Sequence, residues 1–530
     1  MTAYVNGTVY TMKAEGDTVS AFVVNDGKFV YCGSDDEARR LAGDGKVIDL
    51  HGAAVLPGLI DTHQHLFTYA RNLTRLELSK ATSLKQMQDM LREYAKDVPK
   101  GEWILGVGYN NENFTDNKAM PTKEDIDAVC PDHPVVLSRY CLHWSTANSM
   151  ALKLGGIDRN YQPKVEGTVR YGADGEPNGC IADSSASELL SKIPNSLDSM
   201  EAKKNALERA CREMNKVGLT GVHPIRGLHC DLMEYTDVYQ ALNNEGRLTI
   251  RVYLGFDELP NCAIDTGLGD DMVKYGFYKL YCDGNLGGRT AAFREPYSDD
   301  PGNYGSPNYT QEELTARVRA GYERGLQVGA HAIGDRACEM LINAVETVYN
   351  ENPRDNVRFR MIHMSLLDDE LIARMAKLPV VVDVQPMFVA SDVDWADSRV
   401  GEERGKYLFS YRKLLDAGLI LTAGTDNPCE SFSPMDTIYA AVTRKSLKGH
   451  PEGGWHPYDR ISVFEAVTMY TKNAAYVSYE EDIKGTIETG KLADFVIMDA
   501  DIFKIEPDQI KDIKVVKTFL GGKEVYSAAN

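Results

Sequence analysis

The sequence predicts an α/β protein: a (β/α)8 TIM barrel, a composite β-sandwich domain built from both termini, and an insertion after the first barrel strand. Three observations predict this. Short apolar runs alternate with longer helical patterns through the middle of the chain, as in a parallel sheet with crossover helices. Both chain ends are rich in strand and turn signals. The stretch from roughly 68 to 185 far exceeds a βα connection of ~2–6 residues. The boundaries that follow are 1–57 plus 481–530 for the β domain, 58–480 for the barrel and 68–185 for the inserted subdomain.

At the start of the chain, YVNGTVYTM alternates around an Asn6-Gly7 turn. AFVVNDGKFVYCG has two apolar runs joined across Asn25-Asp26-Gly27, a strong hairpin signal. VIDLHGAAVLPG adds a run closed by Pro57-Gly58, and ADFVIMDA and VVKTFLGGKEVY repeat the character at the other end. Eight barrel strands are predicted: AVLPGLID, LTGVHP, LTIRVYLG, FYKLYCDG, LQVGAH, VRFRMIH, VVVDVQP and LILTAGTD. Thr310 and Glu313 form a capping box before LTARVRAGYERG, with Gly325 past its end, and Ser365 and Asp368 repeat the start signal before DELIARMAKLP. The insertion holds a helix, SLKQMQDMLREYAKDV, and two strands, WILGVGY and PVVLSRY.

With 530 residues and 43% hydrophobic content, the chain has ample material for a large core. A net charge of -20 disfavours nucleic acid and anionic membranes as partners. The ten cysteines include no CxxC pair and read as reduced thiols. No signal segment or apolar run of ~18 residues occurs, so a cytoplasmic protein with a small-molecule substrate is expected. A homodimer is compatible with this reading.

His63 and His65 follow the first strand, two apart and hence on one face. His331 ends LQVGAH, His363 ends VRFRMIH and Asp426 ends LILTAGTD. Alone, each histidine reads as a core residue and Asp426 as a turn former. Together they are five ligand-type residues at strand ends, which converge on one rim of a closed barrel. Lys279, in the fourth strand, either points outward or faces that rim. Facing it, an ammonium would be repelled by metal. Carbamylation by carbon dioxide would turn it into an anion able to bridge two ions. Two divalent cations, a carbamate, Asp426 and a bridging hydroxide leave about +1, suited to stabilising an oxyanion.

VLPGLIDTHQH, KLYCDGNLGGRTA, GAHAIGDRA, RMIHMSLL, LTAGTDNP and GTIETGKLADFVIMD together resemble the amidohydrolase superfamily. The nearest likeness is its YtcJ-like branch (amidohydrolase family 3), which includes N-substituted formamide deformylases. The resemblance implies His63 and His65 on a first metal, Lys279 as a carbamylated bridge, and His331 and His363 on a second. Asp426 would be a ligand of the first metal that also shuttles protons, making Asp426 and Lys279 the catalytic pair. Zinc leads as the ion, with Mn2+ or Fe2+ as the other divalent choices. The chain departs from the branch pattern at Tyr109 and Cys282, where Trp and a small residue are more usual.

Six further residues are substrate-binding candidates. Arg289 either holds a substrate carboxylate or forms a loop salt bridge, and Asp283 precedes it in DGNLGGR. His143 and Trp144 either cap the site or pack within the insertion. His223, ending LTGVHP, lines the pocket or fills the core, and Tyr109 lies in the insertion motif GVGYNNENF. The expected activity is metal-dependent hydrolysis of a C–N bond in an amide, N-formyl or cyclic amide. Ester hydrolysis, decarboxylation, isomerisation and a catalytically silent regulatory homologue are the alternatives.

Overall fold

Parallel strands covered on both faces must be apolar along their length, and the apolar runs of the middle segment become eight such strands, except that the AVLP half of the first run, Ala54–Pro57, pairs in another sheet. They are β1 (Leu59–Gln64), β2 (Leu219–Pro224), β3 (Arg251–Phe256), β4 (Val273–Tyr281), β5 (Gln327–Ala332), β6 (Phe359–His363), β7 (Val380–Val384) and β8 (Ile420–Ala423). The structure is a computed structural model describing residues 1–139, 144–162, 167–193, 197, 199–226, 232–260 and 264–528. The eight strands form one parallel sheet in sequence order. Just beyond β8 the chain returns to β1: the Asp426 amide donates to the His63 carbonyl, and the His65 amide to that of Asn427, each at 2.7 Å. This eight-stranded arrangement fits a (β/α)8 barrel.

The chain forms two compact units, Met1–Thr68 with Ala210–Asn530, and Tyr69–Arg209. The first contains the barrel and two further sheets. One has the strand order Lys28–Gly33, Ala21–Asn25, Thr2–Val5, Lys46–Asp49. The other runs Lys523–Ser527, Val515–Leu520, Phe495–Met498, Ala54–Pro57, Thr8–Tyr10, Thr18–Val19, so it draws strands from both ends of the chain. Side chains of both sheets share an apolar cluster that includes Tyr4, Phe22, Phe29, Phe495 and Phe519. Phe495 and Phe519 stack at 4.3 Å between ring centres. Truncating one such ring to Ala typically costs about 3–5 kcal/mol.

Two local expectations are corrected. Asn6-Gly7 is not a hairpin turn: Thr2–Val5 pairs with Ala21–Asn25, while Thr8–Tyr10 pairs with Ala54–Pro57 in the other sheet. The Gly7 amide is bound by the Ser20 carbonyl and the Asn6 side chain by Asp49, so tertiary partners override the local turn signal. The Asp26-Gly27 hairpin forms as read, with both residues at positive φ. The second helix start is Asp368, not Ser365. Asp368 caps Asp369–Met375 through the Leu371 amide, while the Ser365 carbonyl accepts from the Phe409 amide. The Thr310–Glu313 capping box is present on Gln311–Glu323.

The second unit carries a six-stranded sheet whose centre is Trp144–Ala147, Val135–Arg139 and Ile104–Tyr109. The helix Leu84–Tyr94 starts at Ser83, which caps the Gln86 amide, and buries Met87 and Leu91. No helix among the described residues is long and apolar enough to cross a membrane.

Candidate metal centre

The return of the chain to β1 brings distant residues together. His63 Nε2 lies 3.4 Å and His65 Nε2 3.3 Å from Asp426 Oδ1. Gly424 allows this approach, since a Cβ there would collide with His63. Asp426 at φ 57° and His363 at φ 71° both adopt the left-handed backbone, a conformation costing non-glycine residues about 1–3 kcal/mol. Hydrogen bonds hold them there: the Asp426 amide to His63, and the Met364 amide to the Ala332 carbonyl.

Beneath His63, the buried Asp61 carboxylate accepts from the amides of His63 and Thr425 and from the Thr425 hydroxyl. Burial pushes its pKa up to about 7 despite those bonds. His63 is pushed down to about 4, by burial first and by the nearby Lys279 cation second. Burial opposes ionisation of Asp426, but the flanking His63 and His65, with His363 beyond them, hold its carboxyl well below the usual range. Two imidazoles thus face one carboxylate.

Lys279 is 1% exposed, its Nζ 5.1 Å from the Tyr281 ring centre. Burial lowers its pKa to about 7, against the pull of Asp426 and Asp383. His331 and His363 pack at 4.4 Å between ring centres, and His363 lies 5.1 Å from His63. His331 Nε2 is 2.8 Å from the Gly284 carbonyl, which can only accept. The proton therefore sits on Nε2, leaving the Nδ1 lone pair. Burial, followed by His331 and His63, holds His363 well below its ordinary pKa.

These residues suit a divalent cation. His63, His65 and Asp426 each offer one ligand atom, all within 4.8 Å of one another. His63 Nδ1, Lys279 Nζ and Asp426 Oδ1 are buried and lack a hydrogen-bond partner. Imidazoles and a carboxylate at such spacing are the donor set of zinc and similar ions.

Of the remaining candidates, Asp283 lies beside the site, its Oδ1 3.4 Å from His331 Nε2. Asp283 accepts from the amides of Ala292, Ile333 and Gly334, so its carboxylate organises backbone. Arg289 makes a two-pronged salt bridge to Asp299. His223 is buried on β2, its ring 5.0 Å from that of Tyr253, with both nitrogens unpartnered. Tyr109 is buried within the second unit, its hydroxyl bonded to Thr146. Trp144, in the same unit, carries the Arg170 guanidinium over its ring. His143 lies outside the described residues.

Sequence reasoning missed Asp61, Arg360, Asp383 and Gln385. Arg360 and Asp383 form an ion pair with no exposed side-chain surface, joined by hydrogen bonds from the hydroxyls of Thr62 and Thr422. The Arg360 guanidinium lies 3.9 Å over Phe277. One signal was available: Asp383 interrupts the otherwise apolar VVVDV, and a buried lone carboxylate needs a partner.

Comparison with known proteins agrees with this geometry. The chain is 35% identical to YtcJ of Bacillus subtilis (strain 168), named as an amidohydrolase, over 98% of both chains. It is 25% identical to an N-substituted formamide deformylase of Arthrobacter pascens, over 98% of this chain and 97% of that protein. A metal-dependent hydrolase from Pyrococcus furiosus superposes with a TM-score of 0.77 at 28% identity, covering 95% of this chain and all of that one. Residues 46–526 match the model of the amidohydrolase family. A carboxylate between two strand-end histidines on an eight-stranded parallel sheet thus has a family to which it belongs: this chain is an amidohydrolase family member.

Proposed function

We propose that this chain hydrolyses a C–N bond of a small molecule, in an amide, N-formyl or cyclic amide. The observation that carries the reading is Asp426 Oδ1 facing His63 Nε2 and His65 Nε2 at 3.4 and 3.3 Å. A divalent ion held there, with zinc as the first choice, would polarise a carbonyl and lower the pKa of bound water toward ~7. His63, His65 and Asp426 would hold one ion, and His331 and His363 a second, with Lys279 as a further ligand. Asp426, kept ionised by its histidine neighbours, accepts the proton of the attacking water and returns it to the leaving nitrogen.

Lys279 is proposed to carry a carbamate. Its buried amine has a pKa near 7, so the neutral form that adds to carbon dioxide is available at neutral pH. The addition forms an N–C bond and releases one proton, leaving an anion. The relative named as a formamide deformylase favours an N-formyl substrate among the C–N classes. The two sheets from the chain ends are proposed as one composite β domain, 1–57 with 481–530, beside a barrel of 58–480 interrupted by the 68–185 insertion. A cytoplasmic location completes the reading.

The test is a screen of N-formyl, N-acyl and cyclic amide compounds with zinc- and manganese-loaded protein, with Asp426→Asn as the control. Amine release by the native chain and not by the variant supports the proposal. Turnover confined to esters would overturn the C–N assignment.

A further inference from the structure

We infer that Gln385 is a positioning residue that sets the tautomer of His363 and thereby decides which nitrogen His363 offers to a metal. The inference rests on the metal-site reading above, but its geometry stands in the protein alone.

Gln385 follows β7 and is 2% exposed. Its amide nitrogen donates to the Asp383 carbonyl at 2.9 Å, and its amide oxygen lies 2.6 Å from His363 Nδ1. A carbonyl oxygen can only accept, so the amide cannot be reversed without setting two acceptors against each other. Gln385 Oε1 therefore faces His363. An amide oxygen also only accepts, so Nδ1 must carry the proton. His363 is then neutral with its lone pair on Nε2.

The neighbouring histidine is arranged the other way. His331 donates through Nε2 to the Gly284 carbonyl and keeps Nδ1 free. The two rings, 4.4 Å apart at 75°, thus present different nitrogens. His331 is set by a backbone carbonyl, which no side-chain substitution removes. His363 depends on one side chain. A free neutral histidine prefers its proton on Nε2, so without Gln385 the ring would favour the form that cannot ligate through that atom.

Gln385 is itself held by the backbone of Asp383, whose carboxylate is bound to Arg360, Thr62 and Thr422. Thr62 adjoins His63 in the chain. One buried network therefore orients His363 and anchors the strand that carries His63. Second-shell partners of this kind typically change metal affinity by ~10–100-fold when removed.

The experiment uses the full chain and three proteins: native, Gln385→Met, which keeps volume but removes the acceptor, and Gln385→Glu, which keeps an acceptor oxygen. The first readout is 15N-histidine NMR of metal-free protein, with the His363 signal assigned by its loss in His363→Gln. The proton is expected on Nδ1 in the native and Glu proteins and on Nε2, or exchanging, in the Met protein. The second is competition titration with Zn2+ alone. Gln385→Met should bind about 10–100-fold more weakly than native, and Gln385→Glu should recover most of that loss. A native His363 with its proton on Nε2 overturns the inference, and so does a Met variant with native tautomer and native zinc affinity. If no protein binds zinc, the metal reading falls, and the tautomer measurement still decides the role of Gln385.

Discussion

Asp426 is joined to His63 twice: its amide donates to the His63 carbonyl at 2.7 Å, and its carboxylate Oδ1 lies 3.4 Å from His63 Nε2. The backbone bond fixes the distance that the side chains use. A substitution that preserves the backbone should therefore separate proton transfer from ligand placement. Asp426→Asn retains the shape but cannot accept a proton. We expect kcat to fall by at least ~10²-fold while most of the metal stays bound. Metal analysis and steady-state kinetics check this; near-native turnover with full metal would make Asp426 a ligand only.

Lys279→Ala removes the buried amine proposed to be carbamylated. Metal content and activity should both be lost. Millimolar short carboxylic acids, which supply the missing anion, should restore part of each. Unchanged activity in Lys279→Ala without additives would show that the carbamate is unnecessary.

The Arg360–Asp383 pair is fully buried. Breaking such a pair leaves an uncompensated charge, so Asp383→Asn should cost about 3–5 kcal/mol of stability. Replacing both partners with apolar residues of similar volume should cost less than the single change. Urea or thermal unfolding of the three proteins tests the ordering.

Asp459 is buried near Arg444, and burial raises its pKa from 3.8 to about 6, with Arg444 opposing. The folded protein thus binds this proton more tightly than the unfolded chain. Its contribution is fully present below pH 3.8 and is lost as pH rises through 6. Asp459→Asn should therefore gain stability relative to native as pH rises from 4 to 7. Melting temperatures of both proteins across that window give the difference; a variant-minus-native value that stays constant or falls would contradict the assignment.

The barrel strands were legible because parallel strands buried on both faces read as apolar runs. The ligand-type residues were legible because they end those runs. Arg360, Asp383 and Gln385 were not, since their role depends on which strands face each other across the barrel interior. Arg289 pairs with Asp299, a loop partner whose proximity no local pattern encodes. Asn6-Gly7 misled for the opposite reason: its local turn preference is real, but Ser20 and Asp49 outbid it.

The pairing of Ala54–Pro57 with Phe495–Met498 has a consequence for synthesis. The first strand of that pair leaves the ribosome long before its partner exists. At ~5–20 residues per second, the wait is roughly tens of seconds. Throughout it, one edge of Ala54–Pro57 has no neighbour, and Val55 and Leu56, fully buried in the finished protein, lack their cover. The six-stranded sheet that joins both chain ends is thus among the last parts to be sealed.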